Sequence, residues 1–207
     1  MENGNEKRQS LLRFFWQEAL RDQFVICLAS MAILAVFMFV CCALRPEVAE
    51  WYVDLFLDSA DVSALAEQSE SELFFSILIN NGDAALTTVL WGFFPFLFLP
   101  ALTVGINSLV LGAFAAYFRA SGGGLGLFLL SVLPHGVFEL PGLAVACGAG
   151  LHLCSVVTAR LLHRTEVRVL PTAALCVRAL THIALPLLLL AAAIEAYVTP
   201  ALLALVV

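Results

Sequence analysis

Charge is what this chain has least of. Only 13% of its 207 residues are Asp, Glu, Lys or Arg, while 62% are hydrophobic and the mean hydropathy is +0.98. A soluble domain usually carries about 25% charged residues and about 45–50% apolar ones. A soluble fold of this length has too little interior to bury so much apolar surface. The composition points to an all-α integral membrane protein of one domain.

Other absences narrow the function. Cations are missing altogether between Glu47 and Asp83, although nine of the sixteen acids lie there. No basic, aromatic-laced surface is present, which excludes a nucleic-acid partner. The six cysteines (Cys27, Cys41, Cys42, Cys147, Cys154 and Cys176) include no Cys-x-x-Cys and all sit in apolar segments. They read as small hydrophobes in helix contacts, not as a thiolate metal site or a disulfide framework. Gly-x-Ser-x-Gly, His-Glu-x-x-His and a phosphate-binding glycine loop before Lys are also missing. The sequence offers no catalytic residue. The "SGGGLG" stretch has neither a following Lys nor a preceding strand and reads as a flexible turn.

What is present is a series of apolar runs. Residues 1–23 form a charged start, with Leu11, Leu12, Phe15 and Ala19 at helical spacing, which predicts a cytoplasmic helix lying on the membrane surface. Residues 24–44 are long enough to cross a bilayer and read as a retained signal anchor. Residues 45–71 are acidic. Within them Val48, Trp51, Tyr52, Leu55 and Phe56 make an apolar stripe opposite Glu47, Glu50, Asp54, Asp58 and Asp61. That pattern predicts a second interfacial helix, outside the cell. Residues 72–207 form the polytopic core. Its spans are expected near 72–99, interrupted at "NNGD", then 101–118, 141–162 and 172–198, with a kink at Pro186. The run 125–133 is too short to cross, so it reads as a re-entrant half-helix or an extension of the next span. Pro141 suits a helix's first turn. Five transmembrane helices result. The cations at Lys7–Arg21 and Arg160–Arg168 place the N-terminus in the cytoplasm and the C-terminus outside the cytoplasmic membrane.

Small residues recur at four-residue spacing: Gly142, Ala146 and Gly150; Ala101 and Gly105; Ser108, Gly112 and Ala116. This spacing lets helix backbones approach closely, within one bundle or across a homodimer. Against this apolar background stand Asn80, Asn81, Asn107, His135, Glu139, His152, Arg178, His182 and Glu195. Intramembrane ionisable groups usually face a bundle interior or a water-filled cavity. Counting along the spans puts Asn80, Asn81, His135, Glu139 and Glu195 at similar depth, in the outer half of the bilayer, with Asn107 nearer the middle. Three roles fit this cluster: a structural polar knot, a site for a divalent metal such as zinc with His135, Glu139 and Glu195 as ligands, or a proton or substrate path.

The stretches "INNGDAAL", "PALTVGINSLVLGAFAAY", "LPHGVFELPGLAVACGAGL" and "AAAIEAYVTP" together resemble the stage II sporulation protein M family, whose motif maps onto Asn80, Gly82, Gly105, Asn107, Gly112, Pro134, His135, Gly136, Glu139, Pro141 and Glu195. The resemblance implies a multi-pass membrane protein. For spore formers it implies a component that holds a peptidoglycan hydrolase and a partner at the engulfing septum. The function expected from it is a membrane scaffold or remodelling component that recruits other membrane or cell-envelope proteins among the lipids. The polar cluster offers the alternative of a metal-dependent membrane enzyme or transporter.

Overall fold

The computed structural model describes residues 20–59, 68–164 and 166–206. These residues are mostly helical, joined by short loops, and contain no strand. Five helices are long and apolar enough to cross a membrane: Arg21–Leu44, Glu70–Phe93, Pro100–Ala120, Gly124–Leu161 and Val169–Leu203. Residues 1–19 of the expected surface segment, and residues 60–67 of the acidic segment, Asp61 among them, lie outside the described part.

Helix α1 (Arg21–Leu44) ends where Arg45 leaves helical geometry ahead of Pro46. Pro46 then opens α2 (Pro46–Ser59), at the one helical position where its missing N–H costs nothing. Ala49 and Val53 of α2 are buried, and Ala49 joins Met38, Cys42, Ala113 and Ala116 in a small core. Glu47, Glu50 and Asp54 stay exposed.

Helix α3 (Glu70–Leu90) starts with a capping box. The Ser69 side chain accepts from the Glu72 backbone N–H, and the Glu72 carboxylate accepts from the Ser69 N–H at 2.9 Å. The helix runs unbroken through "NNGD", contrary to the expectation of an interruption. A chain crossing a bilayer must satisfy its backbone groups internally, and that requirement overrides the turn preference of Asn-Gly. A single 3-10 turn (Trp91–Phe93) and a short loop lead to α4 (Pro100–Ala120). In that loop Phe96 and Phe98 have positive φ. Two contacts from the following long helix hold it: the Phe96 N–H donates to Thr158 Oγ1 at 3.0 Å, and Cys154 Sγ donates to the Phe94 carbonyl at 3.3 Å.

Helix α5 (Gly124–Leu161) is the axis of the bundle. Its 38 residues carry both Pro134 and Pro141 inside, so 125–133 is the expected extension of the next span and not a re-entrant half-helix. Pro141 likewise sits in the interior and does not open a helix. At 1.5 Å per residue the helix is about 57 Å long, well beyond a hydrocarbon core of about 30 Å. Every residue from Gly142 to Gly150 is buried. A helix buried on all faces must be thin where neighbours cross it, and "GLAVACGAG" supplies that. A Cβ built on Gly142 would lie 3.0 Å from Leu188 Cδ2, and one on Gly150 would lie 2.9 Å from Pro100 Cγ. On α4, a Cβ on Gly112 would meet Met38 Cβ at 2.9 Å. Gly105 differs, because nothing lies within 4 Å of its built Cβ. The stripe at Ala101 and Gly105 therefore packs nothing within this chain, while the other two stripes close the bundle on itself.

The fifth span consists of α6 (Val169–Ala179), a π turn (Leu180–Ala184), α7 (Leu185–Ala193), a second π turn (Ile194–Val198) and α8 (Thr199–Leu203). Each π turn lies just before a proline, Pro186 and Pro200. A proline ring clashes with the carbonyl four residues back, here at His182 and Ala196, and a widened turn relieves that clash. The kink expected at Pro186 takes this form.

Candidate functional site

The polar residues expected at similar depth line one chamber of about 590 Å³. Asn80 and Asn81 come from α3, Asn107 from α4, His135 and Glu139 from α5, and Glu195 from the second π turn. The helix ends nearest the chamber are the starts of α3 and α5 and the ends of α4 and α8. Counted from those ends, the six residues lie about 12–23 Å deep at 1.5 Å per residue. Phe56 of α2 reaches the same chamber and packs edge-on against Phe114, with ring centroids 5.2 Å apart.

His135 and Glu139 are one turn apart on α5 and share a face. His135 Nε2 lies 3.8 Å from Glu139 Oε2 and 4.0 Å from Glu195 Oε2. One ligand atom from each of the three residues falls within 4.8 Å of the other two. Their side chains are 12%, 20% and 35% exposed in the order His135, Glu139, Glu195, so the cluster is largely shielded by protein. His135 Nδ1 is buried and has no hydrogen-bond partner among the described residues.

Local irregularities aim these groups. Pro134 and Pro141 flank His135 and Glu139, and each leaves the carbonyl four residues earlier (Leu130 and Val137) without its usual N–H donor. The π turn around Glu195 shifts the phase of the fifth span so that this carboxylate turns toward α5. Thr199 Oγ1 donates to the Ile194 carbonyl at 3.2 Å, which satisfies a backbone group at the widened turn. Asn107 anchors itself by donating Nδ2–H to the Thr103 carbonyl at 2.8 Å, leaving its amide oxygen for the chamber.

Arg178, His182 and His152 do not join this cluster. His182 Nδ1 contacts Thr181 Oγ1 at 2.8 Å and the Arg178 carbonyl at 3.1 Å, on an exposed part of the fifth span. The six cysteines are free thiols. Cys27 and Cys147 touch at 3.4 Å, while Cys147 and Cys176 donate to the carbonyls of Pro100 and Ala149 at 3.3 Å. Sequence reasoning missed Ser131, Thr199 and Phe56 as chamber residues. Hydroxyls that bond their own helix carry no signal in a sequence, and Phe56 is placed by how α2 folds back.

Two carboxylates and an imidazole this close need a positive charge among them, supplied by protons or by a bound cation. The donor set suits a divalent metal that accepts both nitrogen and oxygen, such as zinc. Tetrahedral ligands at zinc lie about 3.4 Å from one another when each bond is about 2.1 Å. The two His135 separations are about 0.4 and 0.6 Å wider than that, and the three ligand atoms spread over 4.8 Å, so side-chain rotation of the carboxylates would have to draw them in around an ion. Compared with known proteins, the family model described as Stage II sporulation protein M matches residues 23–200. No curated protein matches the chain, and neither does any solved structure. Because the match covers most of the chain and reaches into each of the five membrane-spanning helices, the chain belongs to the stage II sporulation protein M family.

Proposed function

We propose that this multi-pass membrane protein works through its polar chamber, in which His135, Glu139 and Glu195 hold a divalent cation within the bilayer. One observation carries this reading: ligand atoms from α5 and from the fifth span converge within 4.8 Å inside a chamber also lined by three asparagines. Ionisable residues are costly in a membrane and usually mark ion or substrate sites. The orphaned His135 Nδ1 fits an incomplete set of partners, since buried polar atoms are normally satisfied. The test is metal analysis of the purified protein, with a thermal shift after chelation and after adding back zinc or manganese. Saturable stabilisation that is lost in Glu139→Gln and Glu195→Gln supports the reading. An unchanged melting temperature and no bound metal in the native protein would reject it.

A second reading, recruitment of a partner protein, rests on α2. This helix is tied to α4 through Ala49 and presents Glu47, Glu50 and Asp54 on its open side, with Trp51 60% exposed. Such a surface fits a basic partner at the membrane face. Reversing the three acids to Lys should abolish its recruitment and leave the fold intact. The two readings are compatible, because Phe56 makes α2 part of the chamber wall.

A further inference from the structure

We infer that the chain pairs with a second copy of itself through the outer face of α3 and the fifth span, where Asp83 of each copy meets His182 of the other. Two of the three small-residue stripes that could have served a dimer are consumed inside the chain, where Gly112 abuts α1, Gly142 abuts α7, and Gly150 abuts α3 and α4; the third, at Ala101 and Gly105, carries no polar partner. A different surface carries the unpaired chemistry. Asp83 lies inside the second membrane-spanning helix, is exposed, and makes no ion pair or side-chain hydrogen bond with any described residue. It borders a groove of about 690 Å³ that is apolar apart from Asp83 and Thr181, with Leu78, Ile79, Leu86, Leu185 and Leu189 among its walls.

Thr181 lines the same groove. Its neighbour His182 is exposed, with Nδ1 held by the Arg178 carbonyl and Thr181 Oγ1. A carbonyl oxygen only accepts, so the Nδ1 contact to it places a proton on that nitrogen and leaves Nε2 as the outward-facing atom. A Cβ built on Gly82 lies 3.9 Å from Leu185 Cδ2, so Asp83, one residue on, and His182, three residues before Leu185, lie within about one helical turn of the same height. Arg178 is one turn away, and its longer side chain can extend toward the headgroups.

This arrangement is self-complementary. A two-fold axis along the membrane normal brings together groups of equal depth, so each Asp83 faces the other copy's His182 and the contact is made twice in the dimer. The pair shares one proton, as carboxylate with imidazolium or as carboxylic acid with the Nε2 lone pair, and is neutral in either form. The alternative leaves a carboxyl group against lipid, where ionisable residues are rarely found. Leucines of the partner's groove rim would fill the apolar part. This inference is independent of the chamber, which lies on the other side of α3.

The experiment uses the full chain in lipid nanodiscs. Two differently tagged copies are co-expressed, one Asp83→Cys and the other His182→Cys, and treated with a mild oxidant. A cross-linked heterodimer is expected, absent when the second copy carries Ile33→Cys on the exposed face of α1. Asp83→Leu removes a lipid-facing carboxyl, so folding is not at risk. It should weaken self-association at least about tenfold, as judged by dilution. His182→Leu should do the same. A monomeric native chain, or a dimer unchanged by Asp83→Leu, would overturn the inference whether or not the chamber binds metal.

Discussion

Two glycines at the same four-residue spacing, one on α5 and one on α4, should answer oppositely to one added methyl group. At Gly150 a built Cβ lies 2.5 Å from the Thr88 carbonyl oxygen, 2.9 Å from Pro100 Cγ and 3.0 Å from Pro100 Cβ. None of these is the flexible end of a side chain. One is backbone and the others belong to a ring at the start of α4, so α5 must move away from both α3 and α4. Overpacking a close-packed site costs about 1–3 kcal/mol, and rigid neighbours put this case at the upper end. Alanine's better helix propensity returns about 1 kcal/mol. Gly150→Ala should therefore destabilise by about 2 kcal/mol on balance. At Gly105 the built Cβ meets nothing within 4 Å, so Gly105→Ala keeps only the propensity gain. The gap between the two variants should reach about 3 kcal/mol. Reversible unfolding in mixed detergent micelles, followed by circular dichroism, measures it. If both variants unfold at the same denaturant fraction as the native chain, the tight crossing of α5 against α3 and α4 is wrong.

Three further outcomes follow from the same geometry. Glu139→Ala should cost more stability than Glu139→Gln, which keeps the side-chain shape and an acceptor beside His135 Nε2, 3.8 Å away; equal losses in melting experiments would contradict a polar knot. Thr88 donates to the Ala84 carbonyl at 2.6 Å and meets Thr103 Oγ1 at 2.5 Å, a buried link between α3 and α4, so Thr88→Val should cost about 1 kcal/mol in the same unfolding assay. In intact cells Glu50→Cys should react with a membrane-impermeant thiol reagent and Glu166→Cys only after permeabilisation; labelling of position 166 from outside would reverse the topology argued from the cations.

The five spans were legible because a bilayer imposes a minimum length on an apolar helix, and the sequence carries runs of that length. The common depth of Asn80, His135, Glu139 and Glu195 was legible by counting along those runs. The breaks were not. "NNGD" reads as a turn and Pro141 as a helix start, yet both lie within continuous helices. In water a chain can leave a helix at such residues and let solvent satisfy its backbone; in a bilayer it cannot. Two prolines in the fifth span are absorbed by π turns, which no residue preference announces. Gly105 looked like a packing glycine because its neighbours recur every four residues, but spacing does not say which face of α4 meets a partner. Asp83 was hidden among the acids of the cation-free region, and only the fold separates it from them by placing it, exposed, on a largely apolar groove.

The central claim is that His135, Glu139 and Glu195 form one cation-holding cluster. The most direct test is X-ray absorption at the metal edge, on protein purified without chelator and loaded with one equivalent of zinc. The account predicts a first shell of one nitrogen and carboxylate oxygens at about 2.0–2.2 Å, with the nitrogen contribution lost in His135→Ala. A spectrum of fully hydrated zinc, identical in the native chain and in His135→Ala, would contradict it.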